Sequence, residues 1–153
     1  MGDQTHGTIT ITSFGYLHDA PPPAHLVVDL RHHFRDPHVS PQMRYLTAHD
    51  STVRAAVLNT PGIRPLLASL TVAVDAFLSG PSGGNVTVAV GCAGGRHRAA
   101  TVALALADLL RGKHIGVNCQ TFPDLDTQAD RFAGRRLDVQ LSHRDLDKDV
   151  VAR

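Results

Sequence analysis

Apolar and polar positions change their period several times along the chain, and each change marks an element. Thr8-Ile-Thr-Ile-Thr12 alternates with period two and is β-branched throughout, which predicts a first strand. Ser13-Phe-Gly-Tyr16 follows, with Gly15 predicting a tight turn, and Asp19-Ala-Pro-Pro-Pro-Ala24 can only be an extended connector. Leu26-Val-Val-Asp-Leu-Arg31 predicts a second strand. From Asp50 the period becomes helical: Asp50 or Ser51 can cap a helix over Val53–Leu58, which Pro61-Gly62 ends. Leu66, Leu67, Leu70, Val74, Phe77 and Leu78 then keep helical spacing within Ile63–Leu78, up to Gly80-Pro81.

The stretch from Asn85 to Arg98 predicts a buried strand running into a glycine loop with one cysteine, and Thr101–Leu110 predicts a helix that Gly112 closes. Ile115–Cys119 reads as a short strand and Leu137–Leu141 as an edge strand. Between them, residues 120–136 are polar and mixed in charge, with Pro123 and Gly134, and predict an insertion or mobile loop. Met1–Gly7 predicts a disordered N-terminus. Helices between strands imply crossovers and parallel pairing. The expectation is one α/β domain over 1–153: three layers, with a mostly parallel central sheet of about four to five strands flanked by helices.

Composition narrows the function classes. At 153 residues and 42% hydrophobic content the chain can bury one substantial core. A formal net charge of +1 supplies no molecule-wide basic field for nucleic acid, and 5% aromatics leave few platforms for stacking bases. Two cysteines, Cys92 and Cys119, are no disulfide framework. No apolar run approaches the ~20 residues that cross a bilayer, and no leader is read, so a cytoplasmic location without membrane association is expected. His32, His33 and His38 share a loop without zinc-ligand spacing, and neither metal nor cofactor is expected.

The chemistry concentrates in Gly91-Cys-Ala-Gly-Gly-Arg-His-Arg98. A strand–glycine loop–helix turn aims backbone N–H groups and the positive end of the helix dipole at an anion. Gly94 and Gly95 admit close approach, and Arg96, His97 and Arg98 add positive charge, so a phosphate is the expected ligand. Cys92 and Arg98 have the C-x5-R spacing of cysteine-dependent phosphatases, in which a thiolate at a helix N-terminus attacks phosphorus. Against turnover, Ala99 stands where those loops place a hydroxyl residue, and nothing singles out a general acid among Asp29, Asp36 and Asp124. No G-x-x-x-x-G-K-[ST] occurs, which removes P-loop nucleotide hydrolysis. Asp29 and Arg31, two apart at the end of a strand, are either an ion pair or ligand contacts at the carboxyl edge of the sheet.

Ser13-Phe-Gly-Tyr16, Leu26–Arg31, Asp36-Pro-His38, Leu46-Thr47, Gly91–Arg98 and His143-Arg-Asp-Leu146 occur in this order. Together they resemble the C-terminal domain of the RNase adapter protein RapZ family, over nearly all of Thr8–Lys148 except 120–136. The resemblance implies an α/β domain that binds glucosamine-6-phosphate or a similar phosphorylated small metabolite, without catalysis, and that has RNA or protein partners and forms homo-oligomers. It implies a pocket of Asp29, Arg31, Cys92, Ala93, Gly94, Gly95, Arg96, His97 and Arg98, with Ser13, Phe14, Gly15, His38, His143 and Arg144 close by. In that family an ATPase-like domain with a Walker motif precedes this one; no Walker motif occurs in these 153 residues. The family usually has threonine at Ala93 and serine at Ala99, so two hydroxyl contacts are lost here. Its basic tail is replaced by one in which Asp145, Asp147 and Asp149 offset Arg144 and Lys148, which weakens the case for RNA. The rival expectation is a phosphatase with Cys92 as nucleophile and Arg98 as clamp.

Overall fold

The computed structural model describes residues 7–152. Strands β1 (Gly7–Gly15), β2 (Leu26–Asp29), β3 (Val86–Cys92) and β6 (Leu137–His143) form one sheet in the order β2-β3-β1-β6. Every neighbour pair is parallel, with Gly15 opposite Cys92 and Ser13 opposite His143. All four strands therefore end at one edge, where open α/β sheets bind ligands. The helices are α1 (Ser51–Leu58), α2 (Ile63–Leu78), α3 (Arg98–Leu110) and α4 (Pro123–Phe132), and a small antiparallel hairpin pairs β4 (Gly116–Val117) with β5 (Gln120–Thr121). The expected frayed end lies outside the described residues except for Gly7, which begins β1.

Period two decides which sheet face is covered. Ile9 and Ile11 of β1 and Val86, Val88 and Val90 of β3 face the helices and join a single core with Leu67, Val74, Val102, Leu106 and Leu109. Burying such side chains contributes about 1.5–3 kcal/mol each. The other face carries partly exposed Thr8, Thr10 and Thr12. The connector 16–25 returns beside β3, from Leu17 N–H on the carbonyl of Ala93 to His25 N–H on the carbonyl of Thr87. Helix α3 lies at the centre of the helical layer and is buried on nearly every side, which its alanines permit.

Gly15 ends β1 and opens the expected turn, its carbonyl accepting the N–H of His18 at 3.1 Å; its missing Cβ admits the backbone of Gly94, whose carbonyl carbon would lie 2.5 Å from that atom. Three expectations need correction. Strand β2 stops at Asp29, two residues early. The segment 120–136 is no mobile loop; it holds β5 and α4, which bury Phe122, Leu125, Ala129 and Phe132 in the core. Pro123 sits in the first turn, where a missing N–H is tolerated, and Gly134 follows the helix at a φ of 77°. The strand expected over Ile115–Cys119 shrinks to Gly116–Val117, because Asn118 and Cys119 take positive φ to turn the hairpin.

Candidate anion-binding site

The loop between β3 and α3 sits at the carboxyl edge, held from below by the sulfur of Cys92. That thiol is 2% exposed, and its Sγ accepts N–H bonds from Gly95 at 3.3 Å and Ala99 at 3.4 Å. The first residues of α3 have no side-chain cap, and the sulfur takes one of the orphan amides. The amides of Gly94, Arg96, His97 and Arg98 donate to no acceptor among the described residues. Four unpartnered N–H groups at the positive end of a thirteen-residue helix make a candidate site for an anion.

Gly95 has a φ of 77°, and a Cβ there would stand 2.8 Å from the nitrogen of Gly15. Its glycine character therefore serves a backbone-to-backbone contact with β1. The same contact places the loop beside Asp145, which is fully buried and accepts the N–H of Gly15 at 2.7 Å.

The three basic side chains are engaged with main-chain carbonyls. Arg96 donates to the carbonyls of Tyr45 (2.9 Å) and Lys148. His97 is buried and its Nε2 faces two carbonyls, Met43 at 3.0 Å and Leu46 at 2.8 Å, so that nitrogen carries the proton. Burial is the main cause that pushes the His97 imidazole below its ordinary pKa, which favours the neutral ring. Arg98, also 2% exposed, donates through Nη1 to the carbonyls of Leu30, Arg31 and Phe34. Its Nη2 lies 3.0 Å from the Asp36 carboxylate. All three expected phosphate contacts thus grip the segment that follows β2.

Asp29 and Arg31 do meet. Arg31 holds both carboxylate oxygens, Nε to Oδ1 at 3.0 Å and Nη2 to Oδ2 at 2.7 Å, while its own N–H closes an Asx turn on Oδ1. The turn, and not a continuing strand, brings them together. The Arg31 guanidinium beside Asp29 lowers that carboxyl to about 2, and Arg31 also lies 3.6 Å from the ring centre of Tyr16. This half-exposed ledge stands at the end of β2, next to β3.

Ser13, Phe14, His143 and Arg144 form a second group one strand further on. Strand β6 pairs with β1 and does not touch β3, so His143 reaches the edge through Ser13, at 2.6 Å between Nδ1 and Oγ. Ser13 and Phe14 are fully buried. Arg144 ties the carbonyls of Gly15, Asp19 and Ala20 to Asp145, fixing the 16–25 connector. His38 lies in a short 3-10 turn (Pro37–Val39) and lines a cavity of about 700 Å³ with Asp36, Arg44, Tyr45 and Val150. Of the candidate acids, Asp36 pairs with Arg98 and Asp124 with Arg64 of α2. Ala93 contributes its carbonyl to Leu17.

The sequence places Tyr16, Asp36 and Asp145 in the motifs of the resemblance but assigns Tyr16 and Asp145 no part in the site and weighs Asp36 there only as a general acid. A legible sign was present for Asp36: an Asp-Pro pair opening a turn, whose carboxylate caps His38 N–H at 3.0 Å.

The family model of the RapZ C-terminal domain matches residues 7–122. A nucleotide-binding protein of Acidothermus cellulolyticus is 38% identical over 144 residues, 92% of this chain and 40% of that protein. One from Thermobifida fusca is 37% identical over 118 residues, 75% of this chain and 40% of its own length. One from Mycobacterium tuberculosis is 31% identical over 146 residues, 93% of this chain and 41% of that protein. The chain thus spans about two fifths of the length of the curated relatives it matches.

Proposed function

The chain belongs to the RapZ C-terminal domain family, and on that premise we propose that it is a regulatory binding module for a phosphorylated small metabolite, of the amino sugar phosphate kind that glucosamine-6-phosphate represents. The observation that carries this reading is the set of amides at Gly94, Arg96, His97 and Arg98 without an internal acceptor, at the start of α3. The phosphate oxygens take those N–H groups. The Asp29 carboxylate, ionised at any physiological pH, accepts from a sugar hydroxyl or ammonium, and Arg31 on Tyr16 borders the ring.

The module acts by occupancy, changing its fit to a protein or RNA partner in the cytoplasm or its own oligomerisation. Net charge of +1 makes a protein partner the stronger proposal, since few phosphates could be neutralised. No helix among the described residues is long and apolar enough to cross a membrane.

A thermal-shift comparison of glucosamine-6-phosphate, glucose-6-phosphate, inorganic phosphate and glucosamine tests the reading. The phosphorylated sugars should raise Tm with rising concentration while glucosamine does not. If no phosphorylated compound stabilises the protein, the reading is wrong.

The rival reading, a cysteine phosphatase, has one observation in its favour: the N–H groups of Gly95 in the loop and Ala99 in α3 converge on Cys92 Sγ, as they would to stabilise a thiolate. Burial of that sulfur and the engagement of Arg98 with Asp36 oppose it. Turnover of an aryl phosphate that disappears in Cys92→Ser would establish it.

A further inference from the structure

The side chains of Arg96, His97 and Arg98 all hold one strap, residues 31–48, and the strap supplies a negative charge of its own. Asp36 places Oδ2 3.0 Å from Arg98 Nη2 and Oδ1 4.0 Å from His97 Nδ1, while capping the turn at His38. The strap contains no strand or α-helix, only the 3-10 turn and irregular backbone. Its polar attachment to the body runs largely through the loop: Phe34 to Arg98, Met43 and Leu46 to His97, Tyr45 to Arg96, and Ala48 N–H to the carbonyl of Arg96 at 2.9 Å. Phe34, Met43 and Leu46 also pack on the core, so the strap can shift without detaching. The cavity of about 700 Å³ between the strap and Val150–Ala152 gives it somewhere to move.

We propose that Asp36 is an internal counter-anion: it holds Arg98 in the unliganded domain, and an incoming phosphate takes Arg98 from it and loosens the strap. This rests on the sugar-phosphate reading of the same loop and adds its regulation. A phosphate carries up to two negative charges against the single charge of a carboxylate already shared with a cap, and it arrives where four amides wait. Arg98 is the switching contact because its Nη2 faces Asp36 while Nη1 stays on the carbonyls of Leu30, Arg31 and Phe34. Ligand occupancy and strap position are then linked: whatever weakens the Asp36 contact favours the ligand, and the ligand weakens the contact. The surface that changes is the strap with the adjoining 147–152 segment, whose Val150, Val151 and Ala152 line the same cavity as Asp36 and Tyr45.

Calorimetry and hydrogen exchange test this with glucosamine-6-phosphate and inorganic phosphate as probes, on wild type and Asp36→Asn. Asparagine keeps the cap on His38 and removes the charge. Asp36→Asn should bind the sugar phosphate roughly tenfold more tightly, and its strap amides should exchange faster without ligand. In wild type, saturating sugar phosphate should speed exchange across 31–48. Equal affinity of both proteins, or a wild-type strap whose exchange is unchanged or slowed by ligand, overturns the inference while leaving the binding site standing. Failure of both proteins to bind either probe overturns the sugar-phosphate reading and the inference with it. The wild-type exchange measurement decides alone if Asp36→Asn does not fold.

Discussion

Arg98 Nη2 and Asp36 Oδ2 lie 3.0 Å apart, and both side chains are largely withdrawn from water. The arginine that sequence spacing assigns to a ligand is therefore also a keystone of the unliganded fold. Removing one partner of such a pair strands the other. Arg98→Ala also vacates three carbonyls, and urea denaturation should find it about 3 kcal/mol less stable than wild type. A loss below about 1 kcal/mol would show that the pair does not support the fold.

Backbone approach at the loop leaves no room for a methyl group. A Cβ on Gly15 meets the Gly94 carbonyl carbon at 2.5 Å, and one on Gly95 meets Gly15 nitrogen at 2.8 Å under a positive φ. Gly15→Ala and Gly95→Ala should each destabilise by at least about 2 kcal/mol, whereas Gly83→Ala, with open space around it, adds only the backbone strain of a positive φ. Thermal unfolding of the three variants separates the cases.

Thiol chemistry should distinguish the two cysteines. Cys119 is exposed and Cys92 is buried beneath the loop. With an aromatic disulfide reagent, one thiol should react quickly in the native protein and the second only on unfolding. Two fast thiols would contradict a closed loop and strengthen the phosphatase reading.

Legibility followed the physics that leaves a sequence signal. Helix α2 begins and ends where its periodicity and its Gly62 and Gly80-Pro81 punctuation place it. The loop's position between a buried strand and an alanine-rich helix was equally plain. Helix α4 was not, because its apolar stripe is narrow, Leu125, Ala129 and Phe132 among charged residues, and Pro123 looks like a breaker until its first-turn position is known. The directions of Arg96, His97 and Arg98 were illegible for a different reason. Their acceptors are mostly main-chain carbonyls of residues 30–46 and of Lys148, which no side-chain pattern announces.

Buried histidines give stability a slope near neutrality. Burial lowers His97 and His143 below their ordinary pKa, so the folded state binds fewer protons than the unfolded one. Their contribution is complete above the unfolded value of about 6.5 and is lost as pH falls through it toward the folded values. Exposed His114, raised by Asp130, opposes this, but solvent screens it. Tm should therefore fall from pH 7.5 to 5.5, and His97→Gln should flatten the slope. A second decline belongs to Asp29, lowered from 3.8 to about 2, whose contribution is present above 3.8 and lost as pH falls to 2. That decline should be shallower in Asp29→Asn.

The amides of Gly94, Arg96, His97 and Arg98 are the heart of the proposed site, and nitrogen–proton correlation spectra read them one by one. Titration with glucosamine-6-phosphate should shift these four signals together, saturate, and leave those of β4 and β5 unmoved. Saturating ligand that moves none of the four would contradict an anion site at the start of α3.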